Sequence, residues 1–480
     1  MTCNKVAILA ISLFAATRLV NASEASAQTA PAGHDTIRLE PFEKQVDDLR
    51  NRLKIPGLSA VIVKDQRVLW AKGYGFADLE NRIPATPSTL YSIASITKTF
   101  AATLIMQLVE QRKLDLDEPM SHYSGDFKND SVRIKHLLSH TSSGTPGERF
   151  RYDGSRYDYL TAVIEKKTGK PFVRVVVETF FDPLGMSTSV PYHNIAVDSG
   201  KWVASLGKER LDRYRAILSS FAQPYAYYGA GETVHDSYPP RGSIGAAAGL
   251  LSTIEDLAKY DMAIDRHLLL SKEAQERAWT PFVSNSGERL PYGLGWFVMD
   301  YHGHKMVWHS GQWGSGFSAM YVKIPERNVS IIMLTNSEAL ASFGFVDVTE
   351  NPFVCSFLGL WDYAYDCAPK AEAALTKWIE GRRAAGKVVV RVDPLILETY
   401  VGEYQFETLN NRIYTISREG DKLFFTEAGG SGKKELYAES DSAFFLKTRP
   451  YVFVFTTAAG EPSQLKIVSG QSSYPSKRIK

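Results

Sequence analysis

The chain has 480 residues, of which 44% are hydrophobic and 22% charged, and its formal net charge is +2. Charge so near balance, with no long run of Lys or Arg, leaves no electrostatic footprint for nucleic acid or an acidic membrane surface. The length exceeds one ordinary core, so two domains, or one large domain with an appendage, are expected.

At the N-terminus, Lys5, the apolar run Val6–Ala16 and the small-x-small triplet Ala25-Ser26-Ala27 read as a secretory signal peptide over residues 1–27. Arg18 and Asn21 interrupt the apolar stretch, which argues against an uncleaved anchor. No later segment is long and apolar enough to span a bilayer, so a periplasmic or secreted protein without a transmembrane anchor is expected. Cys3 falls in the segment that would be removed. Cys355 and Cys367 remain, and in an oxidising compartment they either pair or serve as small buried hydrophobes.

Phe42, Val46, Leu49 and Leu53 recur at helical spacing before Pro56-Gly57. Leu58–Lys64 and Arg67–Tyr74, joined by Asp65-Gln66, read as a hairpin. A helix is predicted over 95–113, with Phe100, Leu104 and Leu108 on one apolar face and Ile105 and Val109 widening it. Ser131 to about Gly200 is predicted to be mostly helical. Tyr192–Pro240, rich in Tyr and Gly, reads as irregular. Strands return at Lys305–His309, Gly316–Ile324 and Val329–Thr335, with turns at Gly311–Gly314 and Pro325–Asn328, and a helical segment follows over 352–384. From about Asp393 short β-like runs alternate with turns, as in Arg412–Ser417, Lys422–Thr426, Ala443–Lys447 and Tyr451–Thr456. Strands thus bracket a helical middle. The expected fold is α+β: over 28–385, one antiparallel sheet flanked by helices with an inserted helical lobe, and over 393–480 a small all-β domain.

Three short elements carry chemistry. The first is Ser95-Ile96-Thr97-Lys98. The same S-x-x-K spacing occurs at Ser205–Lys208, Ser431–Lys434 and Ser463–Lys466, but only Ser95 opens a strongly amphipathic helix after an extended segment, Thr89–Ala94. Residues three apart on a helix share a face, so the Lys98 amine can sit beside the Ser95 hydroxyl and take its proton. Taken alone, a helix-capping serine explains Ser95 as well. The second element is Phe150-Arg151-Tyr152-Asp153-Gly154, which would present the Tyr152 hydroxyl from a loop; a half-buried aromatic is the plain alternative in a chain with 24 Tyr. The third is His309-Ser310-Gly311, a small and polar strand end that a substrate backbone could approach closely; an ordinary strand-ending turn is its alternative. His136 and His140, four apart, could share a metal on one helix face, but no third ligand accompanies them and a structural role is expected. No G-x-S-x-G elbow occurs. Neither a metal nor a cofactor is expected.

Together, the order and surroundings of these elements resemble the penicillin-recognising serine hydrolases: class C β-lactamases, low-molecular-mass D-Ala-D-Ala carboxypeptidases and β-lactamase-like esterases. Leu90–Phe100, Met106–Pro119, Ile134–Gly144, Gly245–Asp256 and Tyr292–Trp296 are similar to family blocks, and the likeness spans roughly residues 40–340. It implies a β-lactamase/transpeptidase-like fold, with Ser95 as acylated nucleophile and Lys98 and Tyr152 acting as a unit in proton transfer. His309, Ser310, Gly311 and Gln312 would bind substrate, with the backbone N–H groups of Ser95 and Gln312 as oxyanion hole. The implied substrates are β-lactams, D-Ala peptides or small esters. Two departures stand out. The family's Tyr-Ser-Asn is here Tyr152-Asp153-Gly154, without an amide at the third position and with an added acid, and the third motif begins with His rather than the Lys usual in class C enzymes. Both count against efficient β-lactam turnover, and Gly154 favours, as the alternative, a catalytically weak protein that binds penicillin or peptidoglycan fragments. The tail, with Tyr400-Val401-Gly402-Glu403-Tyr404, resembles the barrel-like domain appended to some members.

Overall fold

The computed structural model describes residues 38–480 apart from 129, 197–202, 204–205, 229–231, 236–243, 362–364, 385–386, 410, 428–432, 458–463 and 470–471. The expected signal peptide, residues 1–27, lies outside the described residues. Leu39–Lys480 forms one compact unit.

Helix α1 (Leu39–Arg52) buries Phe42, Val46 and Leu49, the stripe that the spacing predicts. Strands β1 (Gly57–Lys64) and β2 (Arg67–Asp78) form the expected hairpin. Its two turn residues, Asp65 and Gln66, have φ of 50° and 60°, the left-handed pair that matches strand twist in a two-residue connection. After β3 (Ile83–Pro84) the sheet resumes with β4 (Phe297–Tyr301), β5 (His304–Trp313), β6 (Phe317–Ile324) and β7 (Val329–Thr335). The order is β3-β2-β1-β7-β6-β5-β4, antiparallel throughout, and the early and late strands meet at Leu58↔Thr335.

Strands β6 and β7 are buried along their whole length because helices cover both faces. On one face Ile62, Met320, Ile331 and Met333 pack with α1 and with two later helices, α5 (Pro352–Gly359) and α6 (Cys367–Ala384). On the other, Val61, Ala319, Ile332 and Leu334 pack with α2 (Thr97–Glu110) and α4 (Ile254–Asp265). The alternation of these residues along each strand is what a two-sided sheet demands. Cys355 of α5 and Cys367 of α6 form a disulfide, which settles the open choice between pairing and simple burial.

Several elements differ from expectation. The predicted helix over 95–113 is a short 3-10 turn, Ala94–Ile96, followed by α2, and every residue from Thr97 to Met106 is buried. It is a central helix enclosed on all sides rather than one with a single apolar stripe. Tyr192–Pro240, read as irregular, contains a helix over Lys208–Leu218 and the strand pair Tyr225–Tyr228 and Glu232–His235. That helix fully buries Tyr214 and packs Leu211, Ile217 and Leu218 beside it, a short apolar stripe among six charged residues. Strand β5 runs on to Trp313, and the turn predicted at Gly311–Gly314 lies further along, at Gly314–Gly316.

The C-terminal part is all-β and barrel-like. Among the described residues, nine strands between Gly402 and Arg478 follow one another as a meander, and the last, Lys477–Arg478, returns to pair with the first at Tyr404↔Arg478. Tyr404, Phe406, Ile416, Phe453 and Phe455 fill its core. A short helix, α7 (Pro394–Tyr400), precedes it, capped by the Asp393 side chain with Pro394 in its first turn. The barrel reaches the seven-stranded sheet at the β5–β6 turn, where the Ser315 hydroxyl donates to the Thr448 carbonyl at 2.7 Å.

Candidate active site

Ser95 sits where the chain turns from a short strand into the central helix. Tyr91–Ser92 pairs with Leu251–Ser252, and the Ile93 N–H donates to the Leu250 carbonyl at 3.1 Å. Ala94, fully buried, then adopts φ 45°, a left-handed conformation costly for a residue with a Cβ. The Ser95 side chain does not cap the helix; the capping position is Ile93, without a side-chain bond. The capping alternative for Ser95 is thereby removed.

One turn on, Lys98 Nζ lies 3.1 Å from Ser95 Oγ and donates to the Ala247 carbonyl at 2.8 Å. Lys98 is 1% exposed. Its amine lies 5.1 Å from the Tyr152 ring centre and 5.3 Å from that of Tyr157. Burial lowers its pKa from 10.5 to about 7, and the nearby carboxylates of Asp158 and Asp153 only partly oppose that shift. A buried lysine of this kind is neutral in about half of the molecules near pH 7, so it can accept a proton at the distance seen to Ser95.

Tyr152 is half-buried beside this pair, and burial raises its pKa while a hydrogen bond with Ser95 opposes the shift. The phenol therefore keeps its proton at neutral pH. His140 holds the loop that carries it. This ring lies 4.2 Å from the Tyr152 ring, and its Nδ1 accepts the Asp153 N–H at 3.1 Å. The Asp153 carboxylate, the acid added to the family pattern, is used as the N-cap of α3 (Gly154–Asp158), accepting the Arg156 N–H at 3.0 Å. Gly154 opens that helix next to Lys98: a Cβ built there would meet Lys98 Nζ at 3.8 Å, with no other heavy atom within 4 Å.

The third element runs along β5. Pairing with β4 ends at Phe297↔Trp308, whereas pairing with β6 continues to Trp313↔Phe317. From His309 to Trp313 the strand thus has one edge free of β4 among the described residues, and Gly311 of this stretch lies against Ser95. A Cβ on Gly311 would lie 2.4 Å from the Ile93 carbonyl oxygen and 3.1 Å from the Ser95 nitrogen, so only glycine permits the approach. His309 itself is turned inward and fully buried. Burial lowers its pKa to about 3, so the ring is neutral. Its Nδ1 lies 2.6 Å from the Ser310 carbonyl, an acceptor, so Nδ1 carries the hydrogen and Nε2 accepts from the Tyr292 hydroxyl at 2.9 Å. His309 anchors the strand from inside, while Ser310 is 7% exposed and Gln312 is exposed on the free edge.

The sequence-predicted residues Ser95, Lys98, Tyr152, Ser310, Gly311 and Gln312 therefore converge. His136 and His140 do not act as a pair. Helix Ile134–Leu138 ends before His140, which has φ 54°, and His136 Nδ1 is occupied by the Arg133 N–H. Four contributors were not predicted from sequence as part of the site. His140 is one. Asp158 and Thr161 are two more, and they hold the Ala246–Ala247 backbone that offers its carbonyl to Lys98. Gly295 is the fourth: at φ 86° it packs against Ala102 and Tyr157 below the site. The blocks Gly245–Asp256 and Tyr292–Trp296 contained the signal for the 246–247 backbone and for Gly295, but not their contacts.

Comparison with known proteins agrees with this geometry. The β-lactamase family model matches residues 42–350. Penicillin-binding protein 4* of Bacillus subtilis is 24% identical over 426 residues, 81% of this chain and 87% of that protein. The protein flp of Staphylococcus aureus is 25% identical over 62% of this chain and 63% of its own length. Among solved structures, the octameric penicillin-binding protein homologue from Pyrococcus abyssi superposes with a TM-score of 0.57 at 23% identity, covering 92% of this chain and all of that one. With the family model spanning well over half of the residues, the chain belongs to the β-lactamase family and is a serine hydrolase of the penicillin-recognising type.

Proposed function

We propose that the chain is an extracytoplasmic hydrolase, with residues 28–385 as catalytic domain, that transfers the acyl group of β-lactams, D-Ala peptides or small esters to Ser95 and then to water. The observation that carries this reading is the buried Lys98 amine 3.1 Å from the Ser95 hydroxyl. Neutral Lys98 takes the Ser95 proton as Oγ bonds to the substrate carbonyl carbon. Negative charge on the carbonyl oxygen is met by the N–H groups of Ser95 and Gln312. As the tetrahedral species collapses, the bond to the leaving group breaks and the proton passes from Lys98 to that group, with Tyr152, protonated at neutral pH, as the relay. Water then attacks the acyl-enzyme by the same route in reverse and frees Ser95. Substrate backbone would lie along Ser310–Gln312. No step calls for a metal or cofactor.

Gly154 favours a second reading, a protein acylated by penicillin or peptidoglycan fragments but slow to release them, because nothing at this position hydrogen-bonds the substrate amide.

Stopped-flow hydrolysis of a chromogenic cephalosporin, with intact-protein mass spectrometry of the adduct, separates the two. Sustained turnover supports the hydrolase, and a single-equivalent burst with a stable adduct supports the binding protein. Ser95→Ala should abolish both signals without loss of fold. Turnover near wild type in that variant would sink the site assignment.

A further inference from the structure

Lys98 is buried, so the charge it gains on taking a proton must be met inside the protein. Among the described residues, the titratable groups that face it come from three segments. His140 and His309 are neutral, because burial pushes both rings well below their ordinary pKa. Tyr152 and Tyr157 keep their protons, because burial pushes theirs up. The charges that face the amine are then two carboxylates, Asp158 and Asp153, and Asp158 has the larger influence. Asp153 is already occupied as the N-cap of α3. Asp158, the last residue of that helix, is built into the turn that touches the amine. Its Oδ1 accepts the Ala247 N–H at 3.1 Å, and the Thr161 hydroxyl beside it accepts the Ala246 N–H at 2.8 Å. The carbonyl of the same Ala247 accepts from Lys98 Nζ at 2.8 Å. Gly245 makes the arrangement possible: a Cβ there would lie 2.1 Å from Asp158 Oδ1 and 2.8 Å from Thr161 Oγ1. One carboxylate thus fixes the hydrogen-bond partner of Lys98 and places a negative charge behind it.

We propose that Asp158 is a positioning residue for Lys98: its carboxylate fixes the Ala247 carbonyl against Nζ and is the counter-charge that meets the ammonium formed when the Ser95 proton is taken. The proposal rests on the reading of Lys98 as proton acceptor. It gives the loop that carries Tyr152 and the turn at Gly245–Ala247 a joint task, which is to hold one charge at one distance from the amine.

Asp158→Asn tests this in the full chain, because it keeps an oxygen able to accept the Ala247 N–H and removes only the charge. Acylation by a chromogenic cephalosporin is followed by stopped flow from pH 5 to pH 10. Without its counter-charge the ammonium is less stable, so Lys98 loses its proton at lower pH and is a weaker base. The rate should fall about tenfold at pH 9, on the Brønsted scale of proton transfer, and clearly less at pH 6. The inflection of the profile should move to lower pH by about half a pH unit or more, the direction expected when an opposite charge is withdrawn. Asp158→Ala also frees the Ala247 backbone, and it should cost more at every pH. A loss in Asp158→Asn by the same factor at every pH, or no loss, overturns the proposal. If wild type is never acylated at Ser95, the catalytic reading has failed instead. The ionisation is then read directly, by titrating the Lys98 Cε resonance in carbon-13-labelled protein, assigned through Lys98→Met. A lower midpoint in Asp158→Asn keeps Asp158 as the counter-charge, and equal midpoints overturn it.

Discussion

Replacing Lys98 by Met, a side chain of similar length without the amine, separates catalysis from stability. In the native protein the amine is held inside an aromatic pocket, and its pKa falls from 10.5 to about 7. In the unfolded chain it titrates near its ordinary value, so between those two pH values the unfolded state binds more protons than the folded one. Stability therefore rises with pH across that window and is lowest below pH 7, where folding must bury the charged amine. At about 1.4 kcal/mol for each tenfold change in proton affinity, the fall from 10.5 to about 7 corresponds to about 5 kcal/mol. Lys98→Met should thus be more stable than wild type at pH 6, by up to about 5 kcal/mol, with the difference shrinking as pH rises toward 10. Serine acylation should fall at least ~100-fold. In wild type the acylation rate should climb with pH through about 7, as the amine loses its proton. Urea denaturation of both proteins at several pH values, beside pre-steady-state acylation, measures all of this. A variant that is less stable at pH 6, or a stability difference that does not change with pH, would refute the burial argument.

The other predictions concern the walls of the same site. Gly311→Ala forces a methyl group into the Ile93 carbonyl and must push β5 away from Ser95. Acylation should drop on the order of 100-fold while circular dichroism stays native, since displacement of about 1 Å has that effect on rate. Gly154→Asn meets open space beside Lys98 and supplies the missing amide, so β-lactam acylation should rise up to about tenfold, the worth of one hydrogen bond; an unchanged rate would mean that the glycine is not limiting. His140→Ala removes the acceptor of the Asp153 N–H and the ring beneath Tyr152. It should lower stability by about 3 kcal/mol and reduce kcat more than it raises KM, seen in thermal melts and steady-state kinetics.

The motifs at Ser95, Lys98, Tyr152 and Gly311 could be located in the sequence because each rests on local rules. Three-residue spacing on a helix brings Lys98 to Ser95, and a glycine in a strand marks a close approach of backbone. The hairpin at Asp65-Gln66, the strands β6 and β7 and the meander after Gly402 follow from period-two patterning and turn residues in the same way. What did not show was every feature whose cause lies far away along the chain. Helix α2 reads as one-sided because elements packed around it, not its own residues, bury it. Asp153 reads as a charge aimed at substrate, yet its carboxylate is spent on the Arg156 N–H.

The sequence by itself determined the type of fold and pointed to the residues proposed to carry the chemistry, since helical and strand periodicity and short motifs are written in consecutive residues. The tertiary structure alone decided their state. The Lys98 amine gives up its charge more readily because two tyrosines and the Ala247 carbonyl, brought from separate segments, take it out of water. His309 turns inward because Tyr292 waits there with a hydroxyl. The free edge of β5 exists because β4 stops at Phe297. Burial, and with it charge state and access, is a property of what the folded chain places around a residue, and no local pattern encodes it.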